Sequence, residues 1–276
     1  MSHDRAPMTS RSDPSRLASA PNLRDLGGWP VRGGGTVRRG EVYRSAGLGR
    51  VTPEDLTVVT GLGLRAVYDL RTVAERDLHP DVLPIGVDAV ALDVLADSSQ
   101  NAAASIDELL GDPVAISAVL ADGRATDLLA EAYRDIVRLD SARHAYGELF
   151  TRLADGARRP ALFHCTTGKD RTGWAAAVLL LLLGVDEEHV RADYLRTNDD
   201  LLPALQPMLD DFAGRGGDPE LLLPVLGVRG EYLDAALAQL RTEHDSVEDY
   251  VRNGLGVAGS ALDALRTGLI DGQPKE

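Results

Sequence analysis

Apolar positions in this chain fall into two patterns. Short compact runs at 42–43, 64–70, 87–92 and 160–164 predict strands, with 64–70 and 87–92 reading as buried ones. Between them, apolar residues recur at helical spacing. They predict helices over 52–61, over two stretches within 127–155 broken near 139–141, and over 172–183, 187–195, 201–212, 219–226, 231–239, 245–253 and 259–268. Thr52 suits an N-cap, with Glu54 and Asp55 in the first turn behind it. The segment 175–183 is apolar on every side, which predicts a buried core helix. It is far shorter than the ~20 residues a membrane span needs.

Glycine and arginine crowd residues 22–50, where short strands and turns are expected. Residues 93–125 are weakly patterned and read as loop plus short helix, with mobility. A glycine-rich break lies at 214–217. Strands alternating with helices through the middle predict an α/β fold, with a central, mainly parallel sheet flanked by helices. After about residue 199 the pattern is all helix, which suits a cap on the core. Residues 1–20 are polar and lack the apolar stretch of a signal peptide, so they read as a disordered leader. Residues 21–276 then form one domain. Such a chain is expected in the cytoplasm, or exported without a cleaved signal.

Charge narrows the partners. Net charge is −14, a field that repels nucleic acid and anionic membrane, so neither nucleic-acid binding nor stable membrane insertion is expected. Any site for a phosphorylated ligand must be locally positive against that background. Lys169 and Lys275 are the only lysines, and Cys165 is the only cysteine, which excludes an intramolecular disulfide.

Cys165 opens the most informative segment, HCTTGKDRTG at 164–173, set between a short apolar strand and an apolar helix. A glycine-containing turn at a helix N-terminus aims several backbone N–H groups at one point, and those groups bind a dianion. The same field favours a thiolate, which can attack phosphorus directly. Six residues on, Arg171 carries a planar guanidinium that can hold two phosphate oxygens in a fork. Thr172 follows, with a hydroxyl suited to donate to the sulfur. The phosphate cradle so predicted comprises Thr166, Thr167, Gly168, Lys169, Asp170, Arg171 and Thr172. No His/Cys/Asp cluster is apparent that would supply a metal, and no cofactor is required.

That segment resembles the phosphate-binding loop of the protein tyrosine phosphatase superfamily. Further pieces, NLRDLGG at 22–28, YRSAGL at 43–48, DLRTVAE at 69–75, RADYLRTND at 191–199 and VLGVRGEYL at 225–233, are similar to the mycobacterial tyrosine phosphatase B family of tyrosine and lipid phosphatases. The resemblance runs from about residue 20 to 265. It implies metal-independent hydrolysis of phosphomonoesters through a phosphocysteine on Cys165, and a two-helix lid at about 200–226. The substrate class would be phosphotyrosine, with phosphoserine, phosphothreonine or phosphoinositides beside it. In relatives a basic loop residue such as Lys169 accompanies phosphoinositide substrates.

The proton donor to the leaving group stays open among three carboxylates. Asp93 and Asp97 follow the strand at 87–92, where relatives carry an Asp after a proline that this chain lacks; Asp93 is preferred of the two. Asp170 would instead pair with Lys169 or Arg24, position water, or itself donate the proton. His164 is expected to orient the loop, braced by Arg24 and Asp25, with Arg71 and Glu75 at the end of the sheet. Asp193, Tyr194 and Asn198 are expected to support the site or hinge the lid. Two other readings remain: a phosphoester-binding module without turnover, and a sulfurtransferase or arsenate reductase. A reductase would want a second, resolving cysteine, which this chain lacks.

Overall fold

The computed structural model describes residues 17–98, 116, 119, 120 and 122–272. Its centre is a five-stranded sheet of β1 (Arg24–Asp25), β3 (Val42–Ser45), β6 (Ala161–His164), β4 (Ala66–Asp69) and β5 (Asp88–Ala91), in that spatial order. β1 is antiparallel to β3, and the other four strands are parallel. Parallel neighbours need crossovers, and α1 (Pro53–Gly61) and α2 (Val73–Leu78) provide two of them. A second, two-stranded sheet pairs β2 (Thr36–Val37) with β7 (Ile270–Asp271), tying the end of the described chain to its beginning.

Register fixes where the site lies. Ser45 and Asp69 both stand level with His164, so three adjacent strands end together, and the chain leaves β6 directly into Cys165. This is the carboxyl end of a parallel sheet, where ligands of open α/β folds bind. From the loop the chain enters α5 (Arg171–Leu182), whose Trp174, Ala175, Val178, Leu179 and Leu180 are buried in the main core. A helix buried on all sides cannot slide, so the loop at its N-terminus is held from behind. Around it pack α3 (Arg124–Arg138), α4 (Asp140–Ala154), α6 (Glu187–Gly214), α7 (Leu223–Leu226), α8 (Gly230–Glu243), α9 (Val247–Asp249, continuing as a π turn over Tyr250–Gly254) and α10 (Gly259–Leu269).

Several expectations change. β5 forms where predicted but is a largely exposed edge strand, since only β4 pairs with it. The helices expected at 187–195 and 201–212 are one continuous helix, α6, running through Pro203 and Pro207. Asn198, in the stretch between the two expected helices, lies within it. Its Nδ2 donates to Val228 O (2.9 Å) and its Oδ1 accepts from Val228 N–H (2.8 Å). The stretch 219–226 is a 3-10 turn, Pro219–Leu221, and the single turn α7. α2 was unforeseen, though Thr72 and Glu75 form a capping box that marks its start. Residues 17–20, expected in the leader, belong to the fold: Leu17 and Ala20 are buried against Val59 and Leu162, and Ser19 Oγ donates to Asp55 (2.5 Å). Residues 1–16, and most of the stretch 93–125, lie outside the described residues.

Candidate active site

Cys165 is buried at the tip of β6. The loop after it turns at Gly168, whose φ of +68° is the left-handed region; a Cβ there would lie 2.2 Å from Ser45 O. Only glycine fits that turn. Loop carbonyls point back to the scaffold. Gly168 O accepts from Asn22 Nδ2 and Arg44 Nη2 (both 2.7 Å), Thr166 O from Gly47 N–H (3.0 Å), and Cys165 O lies 3.1 Å from His164 Nδ1. Among the described residues, the N–H groups of 166–170 donate to no protein acceptor. Carbonyls out and N–H groups in make an anion nest at the N-terminus of α5.

Arg171, the first residue of α5, turns its guanidinium to Glu75 and lies 3.4 Å from the Thr166 hydroxyl. Its Nη1 and Nη2 each lie 2.7 Å from a Glu75 oxygen, a fork-to-fork pair. Glu75 is fixed in turn by Thr72 N–H (2.9 Å) and by the Thr166 hydroxyl. Burial pushes the Glu75 carboxyl up, but the Arg171 guanidinium outweighs it and holds it down to about 2. Arg171 is raised above its ordinary value: burial opposes its charge, while Glu75 and the neighbouring Cys165 favour it.

Two buried networks hold the loop from behind. In one, Asp193 of α6 receives Arg24 Nε (2.8 Å) and Arg44 Nη1 (2.9 Å), both fully buried arginines. Burial raises the Asp193 carboxyl, yet the two guanidinium groups bring it down to about 2. Arg24 thus braces the loop through Asn22 and Asp193. Asp25 does not: its oxygens accept from Gly27 and Gly40 N–H (2.7 and 2.8 Å) and shape the β1–β3 turn. In the other network His164 Nε2 lies 3.0 Å from Asp81 Oδ2, and Arg71 Nη2 sits between Asp69 (2.6 Å) and Asp81 (2.9 Å). Asp69, Asp81 and His164 are the one cluster among the described residues with metal-ligand spacing. Arg71 already offsets one of their two negative charges, and its guanidinium lies against both Asp69 oxygens and Asp81 Oδ1.

The three candidate proton donors have different neighbours. Asp93 accepts from Val73 N–H (3.2 Å) at the start of α2 and from Leu95 N–H (3.0 Å). Asp97 accepts from Ser141 N–H (3.0 Å) and from its hydroxyl at the start of α4. Both serve helix N-termini. Asp170 lies in the loop itself, with Oδ1 receiving Tyr133 OH (2.8 Å) and Lys169 Nζ (3.0 Å). So Asp170 pairs with Lys169 and not with Arg24. Lys169 is buried, and its Nζ also donates to Gly227 O (3.3 Å). Its charge is taken up within the protein instead of facing outward. Thr172 is fully buried and its hydroxyl has no hydrogen-bond partner, so the expected donation to sulfur is not made here.

Sequence reasoning did not single out Asn22, Arg44, Asp81 and Tyr133. The first two lie inside resemblance segments; Asp81 and Tyr133 carry no local signal, because their partners are 83 and 37 residues away.

Comparison with known proteins decides the class. Residues 15–271 match the model of the tyrosine phosphatase family. This chain belongs to the tyrosine phosphatase family. A candidate tyrosine-protein phosphatase of Cupriavidus necator is 36% identical over 237 residues, covering 86% of this chain and 82% of that protein. The triple specificity protein phosphatase PtpB of Mycobacterium tuberculosis is 31% identical over 281 residues, covering 92% and 98%. A tyrosine-protein phosphatase of Nostoc commune is 29% identical over 236 residues, covering 82% and 73%. The protein is therefore a phosphatase of the protein tyrosine phosphatase type. Among the described residues no helix is long and apolar enough to cross a membrane.

Proposed function

We propose that this phosphatase hydrolyses phosphotyrosine without a metal, through a phosphocysteine on Cys165. The observation that carries this reading is the run of unpartnered loop N–H groups after a buried cysteine, with Arg171 beside it, forked onto Glu75. In the first step Cys165 Sγ attacks phosphorus while the ester P–O bond breaks. Asp170 passes its proton to the leaving oxygen. In the second step water attacks phosphorus, its proton goes to Asp170, and the S–P bond breaks to release phosphate and restore the thiolate. The nest and Arg171 stabilise the equatorial oxygens in both steps.

Asp170 is favoured over Asp93 and Asp97 because it shares the loop with the nucleophile and has one oxygen, Oδ2, without a protein partner among the described residues. Thr166, Thr167, Gly168 and Thr172 shape the cradle; His164, Arg24, Asp193, Arg71 and Glu75 hold it. Residues 200–226 act as a lid, and Asn198 with Val228 pins the base of that lid. Phosphoserine, phosphothreonine and phosphoinositides are proposed as further substrates; the relative named a triple specificity protein phosphatase supports a range wider than one phosphoester class.

Phosphate release from phosphotyrosine, phosphoserine and phosphothreonine peptides and from phosphoinositides, measured side by side in excess chelator, tests this. Release from phosphotyrosine peptide that disappears in Cys165→Ser is the expected result. Undiminished release in that variant, or loss of release in chelator, would overturn it.

A further inference from the structure

Asp170 occupies the N-cap of α5, a position where an aspartate ordinarily accepts from the second or third N–H of its own helix. It makes no such bond. Its side chain turns instead to Tyr133 of α3, which spends its single hydroxyl proton on Asp170 Oδ1 (2.8 Å). That hydroxyl accepts in turn from Tyr194 OH of α6 (2.7 Å). Both tyrosines are buried, and their rings meet edge to face at 6.2 Å. Each phenol has one proton to give, so the chain runs one way, from Tyr194 through Tyr133 to Asp170.

Burial, and then the negative charge of Asp170, push the Tyr133 and Tyr194 hydroxyls well above their ordinary range. They remain donors throughout the pH range of a phosphatase and do not compete as acids. With Tyr133 and Lys169 both on Oδ1, that oxygen is filled by fixed donors. The transferable proton is left to Oδ2. We propose that Tyr133 is a positioning residue that aims the Oδ2 edge of Asp170 at the leaving oxygen, with Tyr194 holding Tyr133 in turn. This rests on Asp170 being the acid and base of the reaction.

The test is kcat/KM over a series of aryl phosphates, from dinitrophenyl to unsubstituted phenyl phosphate. A good leaving group needs no proton, and a poor one does. General acids contribute about 10²–10⁴-fold, so Asp170→Asn is expected to lose roughly 10²-fold or more on phenyl phosphate and little on the dinitrophenyl ester. Tyr133→Phe keeps the buried ring and removes only the hydroxyl. It is expected to lose about tenfold on phenyl phosphate, with the loss fading toward the dinitrophenyl ester. Tyr194→Phe, which leaves Tyr133 in place, should change the slope in the same direction by less. A melting curve for each variant separates loss of fold from loss of aim. If Asp170→Asn itself leaves the series flat, the acid assignment fails. If Asp170→Asn is steep but Tyr133→Phe and Tyr194→Phe lose rate equally across the series, or not at all, the positioning role is wrong while the acid assignment stands.

Discussion

Single residues decide how the loop is shaped. Gly168 takes a left-handed φ and leaves no room for a Cβ against Ser45 O, 2.2 Å away. Gly168→Ala should therefore displace the loop, dropping kcat/KM by ~10²-fold or more while the circular dichroism spectrum stays native. Glu75 makes a second claim at this scale. Its carboxyl titrates at about 2 in the folded protein against an ordinary 4.5, so its contribution to stability is complete above pH 4.5 and is lost as the pH falls through about 2. Melting temperature should fall across that window in the wild type, and less steeply in Glu75→Gln. An unchanged slope would mean that the Glu75–Arg171 pair adds nothing to folding. The junction of strand, glycine turn and helix around Cys165 was legible because every signal for it is local. The neighbours of Asp93, Asp97 and Asp81 were not. A carboxylate beyond a strand looks the same in sequence whether it faces solvent, a helix N-terminus or a buried imidazole.

Elements hold those residues through charge buried in the core. Asp193 on α6 reaches Arg24 on β1 and Arg44 on β3, pulling one helix onto two strands. Removing one member of a buried ionic group leaves the others unpaired, so Asp193→Asn should destabilise the fold by about 3–5 kcal/mol in denaturant unfolding. Arg44 also donates to Gly168 O, so that variant should lose activity well below its unfolding midpoint. Strands and helices were mostly legible because their apolar periods are strong. α6 joins the two helices expected at 187–195 and 201–212, across a polar stretch that carries no apolar period. Its continuity depends on Val228, thirty residues away, taking both hydrogen bonds of Asn198. β5 was read as buried because its sequence is apolar, but the sheet ends there.

The whole molecule adds a further apolar cluster and a field. Leu209, Phe212, Leu222, Val225 and Leu226 pack with Ile116, Leu120 and Ala125 in an apolar cluster of their own, separate from the main core. Ala125 belongs to α3, so this cluster packs the segment onto that helix, and Lys169 ties its end to the loop through Gly227 O. Lys169→Met should speed amide exchange over 223–228 by several-fold, and unaltered exchange would show that this tie does not hold the segment. The net charge of −14 repels anionic substrates, so added salt should raise kcat/KM for acidic phosphopeptides. The account stands on Cys165 carrying phosphate. Rapid acid quench of the enzyme turning over an aryl phosphate, followed by peptide mass spectrometry, tests this most directly. One phosphate on Cys165 during turnover, absent in Cys165→Ser, is the predicted result. Turnover with no phosphorylated Cys165, or with the phosphate on another residue, would contradict it.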